Sequence, residues 1–205
     1  MDFEFLQNPI TKKWVVLAPR RAKRPDVAKG FEPVCPFCLG REKDEQEVYR
    51  VGGEAGDSNW IVRVLPNKFP FAPIHEVIIH SPDHHKNFDE LPLDQVEHIL
   101  QTYKHRYNEH AHKGQVYIFH NRGEAGGESL PHPHTQLAVV PFEVKMDIPR
   151  LIPLESQNSN LKSEELHTEN FFLFCPKSSQ WPDEVWMAPK GRGRAFGEIT
   201  DKPNF

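Results

Sequence analysis

The chain has 205 residues, enough for one substantial domain or for one domain and part of a second. Its formal net charge of −4 and its isoelectric point near 6.3 give no overall positive field, so nucleic acid is not an expected partner. No run approaches the roughly 18 apolar residues that span a bilayer, and the N-terminus lacks the pattern of a secretory signal. Only three cysteines are present, which argues against a disulfide framework and favours a cytoplasmic location.

Short β-strand patterns dominate the chain. β-branched and aromatic residues cluster in runs that end at Pro, Gly or Asn, as is typical of strands closed by turns. The runs cover residues 13–19, 60–67, 76–82, 114–123 and 134–141. Other stretches carry Pro, Gly and charge and are predicted to be irregular; they are 20–34, 40–58 and, as a linker or exposed connection, 153–170.

One strong helix pattern interrupts the strands at residues 91–114. Apolar residues recur there at helical spacing, namely Leu93, Val96, Ile99, Leu100, Tyr103 and Tyr107. Pro92 suits the first turn of this helix, and Gly114 suits its C-cap. A set of short strands with one long helix predicts an α+β fold.

The segment 57–91 is weakly similar in sequence to the segment 167–199. In each copy an Asn precedes an aromatic-led strand, a Glu-Val pair opens the next strand, and a Phe-x-Glu sequence follows. After the first copy come the helix and two more strands, whereas the second copy stops at Phe205. We therefore expect a complete unit in residues 1–150, and a linker with the start of a second, incomplete repeat in residues 151–205. The alternative is a chance similarity between two hairpins.

The sequence ESLPHPHTQLAVVP at 128–141 places His132, His134 and Gln136 two residues apart. Because side chains alternate between the two faces of a strand, these three share one face. The alternative is a solvent-exposed strand face. Two histidines and a glutamine are an unusual choice for such a face, because Lys, Glu or Thr would serve equally well. An imidazole has an ordinary pKa of about 6.5, so it is largely unprotonated at cytoplasmic pH and can attack phosphorus.

A glycine-rich stretch, NRGEAGGES at 121–129, comes immediately before these histidines. Glycines let backbone N–H groups approach an anion closely, so this loop could donate hydrogen bonds to phosphate oxygens. The stretch has neither the Lys-Ser/Thr of a P-loop nor a following helix, and by itself it is a weak signal. Beside a nucleophilic imidazole it favours phosphate chemistry.

Cys35 and Cys38 have the spacing of a zinc knuckle and also of a redox-active pair. Their flanks do not show the strand and helix expected around a redox pair, which favours metal, although accidental spacing also remains open. A tetrahedral site needs two further ligands, and Cys175 lies in the incomplete repeat. Histidines are therefore expected to complete the site, from the segment 80–88 and from the strand that carries His132 and His134.

Several sequences together resemble the galactose-1-phosphate uridylyltransferase family of the histidine-triad superfamily, which includes ADP-glucose phosphorylase-like members. They are NPITKKWVVLAPRRAKRP, CPFC, SPDHH and NRGEAGGESLPHPHTQ, together with the internal duplication. The resemblance extends over nearly the whole chain. The resemblance implies a histidine-triad-like antiparallel sheet. It also implies that His134 attacks the α-phosphorus of a nucleoside-diphosphate sugar and holds the nucleotide covalently until a hexose 1-phosphate accepts it. The activity so implied moves UMP between UDP-glucose and galactose 1-phosphate, in galactose metabolism.

The resemblance also assigns roles to other residues. Gln136 matches the glutamine that hydrogen-bonds the phosphoryl group, where hydrolase branches have a third histidine. The residues that match phosphate contacts are Ser129 and Asn121, and those that match the nucleotide pocket are Arg21, Arg24 and Asn67. The family's structural zinc ligands correspond to Cys35, Cys38, His84 and His132, with His85 as the competitor for His84.

The chain departs from this family in its shortened second repeat. The resemblance implies a homodimer, although in the family the second half helps to build that dimer and to bind the sugar phosphate. The sequences CPFCLGRE and VYRV favour the phosphorylase-like branch, whereas His-Pro-His favours the uridylyltransferase. Two alternatives stay open: an ADP-glucose phosphorylase-like adenylyltransferase, and a zinc-stabilised nucleotide-binding module without catalysis.

Overall fold

The structure is a computed structural model that describes residues 2–24, 34–146, 170–176, 179, 181–189 and 195–199, and the backbone of 162–167. The chain divides into two compact units, Met1–Met146 and Asp147–Phe205.

Antiparallel strands form the frame of the first unit. A separate hairpin contains β1 (Glu4–Gln7) and β2 (Trp14–Leu17). The main sheet contains β3 (Tyr49–Val51), β4 (Val62–Pro66), β5 (Ile74–Ile79), β6 (Gln115–Phe119) and β7 (His134–Val140). Its strands lie in the order β3-β4-β5-β7-β6, and every neighbouring pair is antiparallel. All five predicted strands are present, whereas β1 and β3 were not predicted and β3 lies in a stretch expected to be irregular.

The predicted helix is confirmed as α1, Leu93–His110, which begins directly after Pro92. Its C-cap is Ala111, so the prediction of Gly114 at that position is wrong. Gly114 instead lies where two strands approach closely, because a Cβ there would be 2.6 Å from the Val140 carbonyl oxygen. Within the described residues, no helix is both long and apolar enough to cross a membrane.

The main sheet has a hydrophobic cluster on each face. Helix α1 covers one face, where the buried residues are Val62, Val64, Ile78, Ile99, Tyr103, Leu137 and Val139. On the other face the buried residues are Cys35, Phe37, Trp60, Leu65, Val77 and Ile79. Because side chains alternate along a strand, neighbours such as Ile78 and Ile79 serve opposite clusters. The α+β fold class predicted from the sequence is confirmed.

The second unit contains a three-stranded antiparallel sheet. Its strands are β8 (Lys162–His167), β9 (Phe171–Pro176) and β10 (Trp186–Pro189), in the order β10-β9-β8. The linker prediction is wrong for Lys162–His167, since the polar sequence KSEELH carries no strand signal yet pairs with β9. The rest of the predicted linker, apart from Asn170, lies outside the described residues.

Both units contain the same local succession of elements. Strands β3, β4 and β5 form a meander followed by a 3₁₀ turn, Phe88–Glu90, and strands β8, β9 and β10 form a meander followed by Phe196–Glu198. In the first turn the Glu90 carboxylate accepts the Asn87 N–H at 3.0 Å, and in the second the Glu198 carboxylate accepts the Ala195 N–H at 2.8 Å. The two Phe-x-Glu sequences therefore form turns that are capped in the same way. Descent of the two segments from one repeat stays a prediction.

A buried charged group connects α1 to the sheet. The Glu76 carboxylate on β5 accepts hydrogen bonds from Arg106 Nε at 3.0 Å and Nη2 at 2.6 Å. His110 Nε2 lies 2.9 Å from the same carboxylate. The Arg106 guanidinium also lies over the Tyr49 ring, 5.9 Å from its centroid. Because Glu76 and Arg106 are only 4% and 7% exposed, each compensates the buried charge of the other.

Arg106→Met should lower the free energy of unfolding by about 3–5 kcal/mol, because it leaves the Glu76 carboxylate buried without its partner. Urea unfolding at neutral pH measures this change. The control is Lys113→Met, which removes the partner of Glu109 in an exposed pair 3.4 Å apart and should cost less than about 1 kcal/mol. Equal losses in the two variants would contradict the assignment.

Candidate active site and metal centre

Four side chains from separate segments converge beside the start of β7. Their ligand atoms all lie within 4.8 Å of one another, and the residues are Cys35, Cys38, His84 and His132. Cys38 Sγ is 3.0 Å from His84 Nδ1 and 3.7 Å from His132 Nδ1. Cys35 Sγ is also 3.7 Å from His132 Nδ1. A tetrahedral ion with metal–sulfur bonds of about 2.3 Å and metal–nitrogen bonds of about 2.0 Å needs ligand separations of about 3.3–3.8 Å, so the cluster could hold a metal ion.

A hydrogen bond decides which nitrogen of His132 faces the sulfur atoms. His132 Nε2–H donates to the Ser81 carbonyl at 2.9 Å, which leaves Nδ1 unprotonated and directed at the cluster. Burial lowers the pKa of His132 to about 4, and burial raises the pKa of the Cys35 thiol to about 11. A neutral imidazole suits a metal ligand, and a buried Cys35 thiolate needs a cation beside it.

The structure separates the two adjacent histidines that were candidates for this cluster. His84 is half-buried and contributes Nδ1, whereas His85 is exposed and lies outside the group. The His85 N–H instead donates to the Asp83 carboxylate at 2.9 Å as part of a turn. His84 is therefore the ligand candidate.

A cavity of about 380 Å³ opens on the sheet face opposite α1. Its apolar walls include Val34, Pro36, Phe37, Leu65, Val77 and Leu130. Its polar and charged lining includes Arg24, Arg41, Glu45, Asn67, Lys68, Ser129, His134 and Gln136. An apolar pocket with a few convergent polar groups is typical of a small-molecule site. The ring of Phe37, between the two cysteines, packs edge-on against His134 with 5.4 Å between centroids, which places cavity and metal cluster side by side.

The imidazole of His134 is oriented by its own strand. Its Nδ1–H donates to the His132 carbonyl at 2.8 Å, so Nε2 is the nitrogen that retains its lone pair. His134 is 6% exposed, and burial lowers its pKa. The result is a neutral imidazole on the cavity wall with one nitrogen available as a nucleophile.

The amide of Gln136 is oriented by two neighbouring side chains. Its Oε1 accepts hydrogen bonds from His75 Nε2 at 3.0 Å and from Asn67 Nδ2 at 3.3 Å. His75 Nδ1 accepts the Phe71 N–H at 3.3 Å, which places the ring proton on Nε2. Because both donors occupy the amide oxygen, the amide NH₂ of Gln136 is left to donate into the cavity. His75 was not predicted from the sequence, since its partner is 61 residues away.

Five of the predicted substrate-site residues line the cavity: Arg24, Asn67, Ser129, His134 and Gln136. Arg21 lies behind the wall, where its Nη1 donates to the Phe69 carbonyl at 2.6 Å and its guanidinium covers the Phe71 ring at 5.1 Å. Asn121 is half-buried and is not part of the lining. Arg41, Lys68 and Glu45 line the cavity without having been predicted, because a charged residue in an irregular stretch gives no signal of its own.

The glycine-rich loop uses its backbone donors internally. The Gly123 N–H donates to the Glu128 carboxylate at 2.7 Å. The N–H groups of Gly126, Gly127 and Glu128 donate to carbonyls within the loop, at 3.2, 2.9 and 3.1 Å. These four N–H groups are therefore occupied within the loop, and phosphate binding by the loop backbone stays a prediction. Of residues 121–129, only Ser129 reaches the cavity, so a side-chain hydroxyl is the donor that the loop offers.

His75→Gln should make stability less dependent on pH, because glutamine retains an N–H donor for Gln136 but does not titrate. Burial lowers the pKa of folded His75 from 6.5 to about 4. Between those values the unfolded chain binds a proton that the folded chain does not, so stability falls as the pH falls from about 6.5 to about 4.

Urea unfolding at pH 6.5 and pH 5 should show a shallower fall in His75→Gln, by up to about 1.4 kcal/mol per pH unit. His112→Gln, at an exposed histidine, should retain the wild-type dependence. A wild-type slope in His75→Gln would mean that His75 already titrates normally in the folded protein.

The chain is similar in sequence to known proteins. The family model for galactose-1-phosphate uridyl transferase, N-terminal domain, matches residues 74–141, which include β5, α1, β6 and β7. An ADP-glucose phosphorylase of Arabidopsis thaliana is 26% identical over 97% of this chain and 69% of its own length. A galactose-1-phosphate uridylyltransferase of Thermotoga maritima is 29% identical over 91% of this chain and 66% of its own length. The chain thus spans about two thirds of these relatives.

Solved structures show the same fold. The crystal structure of an ADP-glucose phosphorylase from Arabidopsis thaliana with bound ADP-glucose has a TM-score of 0.65 at 26% identity, and covers 98% of this chain and 72% of its own. A uridylyltransferase structure has a TM-score of 0.68 at 20% identity, over 97% of this chain and 69% of its own, and bears on the fold alone. Sequence and fold together support nucleotidyl transfer as the general reaction. These similarities relate the chain to galactose-1-phosphate uridylyltransferases and to an ADP-glucose phosphorylase.

Proposed function

We propose that the protein transfers UMP between UDP-glucose and galactose 1-phosphate through a covalent uridylyl-histidine intermediate on His134. The observation that carries the proposal is the hydrogen bond from His134 Nδ1 to the His132 carbonyl. It turns the lone pair of Nε2 into a fixed nucleophile on the wall of a cavity that also presents Gln136, Ser129 and Arg24.

In the first half-reaction Nε2 of His134 attacks the α-phosphorus of the sugar nucleotide. A bond forms between Nε2 and phosphorus, the bond from phosphorus to the bridging oxygen breaks, and the electron pair leaves on hexose 1-phosphate. The amide NH₂ of Gln136 and the Ser129 hydroxyl donate to the phosphoryl oxygens, and Arg24 supplies positive charge. Arg24 lines the same cavity as His134, so its guanidinium can meet a phosphate bound there.

In the second half-reaction a phosphate oxygen of the other hexose 1-phosphate attacks the same phosphorus. The bond between phosphorus and Nε2 breaks, and the electron pair returns to the His134 imidazole. The leaving group is the hexose 1-phosphate anion in the first half-reaction and the neutral imidazole in the second, so neither step requires a general acid beside the bridging oxygen. Gln136 suits a site without a general acid, because an amide donates hydrogen bonds without giving up a proton.

We also propose that the cluster of Cys35, Cys38, His84 and His132 holds a structural Zn²⁺. Two thiolates and two imidazoles fill a tetrahedral site and leave no open position, as in other structural zinc sites. When bound, the ion would fix the ring of His132. The chain itself then transmits that restraint, because the His132 carbonyl accepts the hydrogen bond from His134.

A second candidate function is adenylyl transfer from ADP-glucose. The observation that favours it is the similarity to an ADP-glucose phosphorylase along 97% of this chain. The two candidates share the nucleophile, the metal cluster and the order of steps, and they differ in the base that the cavity accepts.

His134→Ala should abolish formation of the covalent adduct, because the variant lacks the attacking nitrogen, and should leave zinc bound. Intact-protein mass spectrometry after mixing with UDP-glucose should show a mass increase of one UMP in the wild type. The same experiment with ADP-glucose tests for AMP and so names the base. His112→Ala, at an exposed histidine, is the control that should retain the adduct.

Adduct formation by His134→Ala would exclude this residue as the nucleophile. A folded, zinc-containing wild type that forms no adduct with either sugar nucleotide would favour the alternative of a nucleotide-binding module without catalysis.

Cys35→Ser should weaken zinc binding by more than about tenfold, since it removes a thiolate ligand. It should also lower the melting temperature, because metal binding stabilises the folded state. Inductively coupled plasma mass spectrometry of the dialysed protein measures the zinc content, and thermal unfolding measures the melting temperature. Cys175→Ser, at an exposed thiol outside the cluster, should change neither. Full zinc content in Cys35→Ser would place the metal elsewhere.

A further inference from the structure

The main-chain carbonyl of His134 is held by a side chain instead of a neighbouring strand. On the β5 side, the Pro133 carbonyl accepts the His80 N–H at 3.2 Å. Successive carbonyls of a strand point to opposite neighbours, so the His134 carbonyl points to the β6 side. Strand β6 ends at Phe119, and the next residue, His120, places its ring Nδ1 2.9 Å from that carbonyl. The His120 ring therefore donates the hydrogen bond to the His134 carbonyl at the point where the backbone pairing of β6 with β7 ends.

A buried polar cluster of His80, Tyr103 and Thr135 supports the His120 ring. His80 Nε2 lies 2.8 Å from Thr135 Oγ1 and 3.0 Å from the Tyr103 hydroxyl, and the two hydroxyl oxygens are 2.5 Å apart. The His80 and His120 rings are stacked with 5.2 Å between centroids and 23° between planes. Because His80, Tyr103 and Thr135 are at most 7% exposed, the surface on which His120 rests has little freedom to move.

The position of His134 therefore depends on two hydrogen bonds with separate effects. The bond from its Nδ1 to the His132 carbonyl sets the rotation of the ring. The bond from His120 to its main-chain carbonyl holds the backbone from which the ring projects. His134 is the first residue of β7, where pairing with β6 no longer restrains the chain.

We infer that His120 is a positioning residue for the nucleophile, an inference that rests on the proposed function of His134. It does not line the cavity, and it acts through the His134 backbone. A positioning role predicts that loss of the donor slows attack on phosphorus while nucleotide affinity and metal content stay the same.

Three substitutions at this position test the donor specifically. His120→Asn retains an N–H donor close to the place of Nδ1, His120→Gln moves the donor to the place of Nε2, and His120→Leu removes it. In single-turnover reactions with saturating UDP-glucose, the rate of adduct formation should fall about 10- to 100-fold in the Leu and Gln variants, and less than about threefold in the Asn variant. The dissociation constant for UDP-glucose, the zinc content and the melting temperature should remain close to those of the wild type. His112→Leu serves as the matched control.

A wild-type rate in His120→Leu, or an equally slow His120→Asn, would overturn the inference. So would a loss of rate accompanied by a matching loss of zinc or of melting temperature, because that pattern indicates a general structural role. Where His120→Leu does not fold, the comparison of His120→Asn with His120→Gln decides the question.

A second measurement separates this inference from the proposed function. If the wild type forms no adduct, the proposed function fails, and nuclear magnetic resonance still tests the contact. The ¹³C shift of the His134 carbonyl should change in the Leu and Gln variants and return towards the wild-type value in His120→Asn. An unchanged shift in all three variants would overturn the inference by itself.

Discussion

The hydrogen bond between the His134 ring and the His132 carbonyl is the interaction on which the site depends. At 2.8 Å it sets the tautomer of His134 and leaves the lone pair on Nε2. The same residue that accepts this bond presents its own ring to Cys35, Cys38 and His84. His132 thus connects the candidate metal cluster to the candidate nucleophile. A displacement of the cluster would therefore change the position of the His134 ring, and the reverse also holds.

The antiparallel sheet allows the two faces of one strand to serve different purposes. On one face, His134 and Gln136 line the cavity. On the opposite face, Thr135 joins the buried cluster of His80 and Tyr103 beneath α1. Because adjacent side chains alternate, the residues that would carry the reaction and those that brace the strand lie next to each other in sequence. This packing limits the movement of His134, and for the proposed attack on phosphorus a displacement of about 1 Å would matter.

The positive charge of the cavity comes from a few lining residues and not from the chain as a whole. The chain carries a net charge of −4, yet Arg24, Arg41 and Lys68 all line the cavity. Arg41 pairs with Asp44 at 2.6 Å, and Lys68 pairs with Glu45. Cations that are already paired contribute little net field, so Arg24 is the described cavity cation best placed to meet a phosphate. A polyanionic substrate, as proposed for this cavity, would therefore be attracted mainly at Arg24.

The sequence by itself determined the features that depend on local spacing. A helical period predicted α1, the alternation of strand residues put His134 and Gln136 on one face, and the two-residue gap between Cys35 and Cys38 predicted a metal cluster. Tertiary structure decided what depends on partners far along the chain. It selected His84 over His85, brought His75 to Gln136 and His120 to His134, and directed the glycine-loop donors into the loop itself. It also made a strand of the polar segment Lys162–His167. The physical reason is that periods and spacings are set by neighbouring residues, whereas these outcomes depend on contacts that exist only once distant segments have packed together.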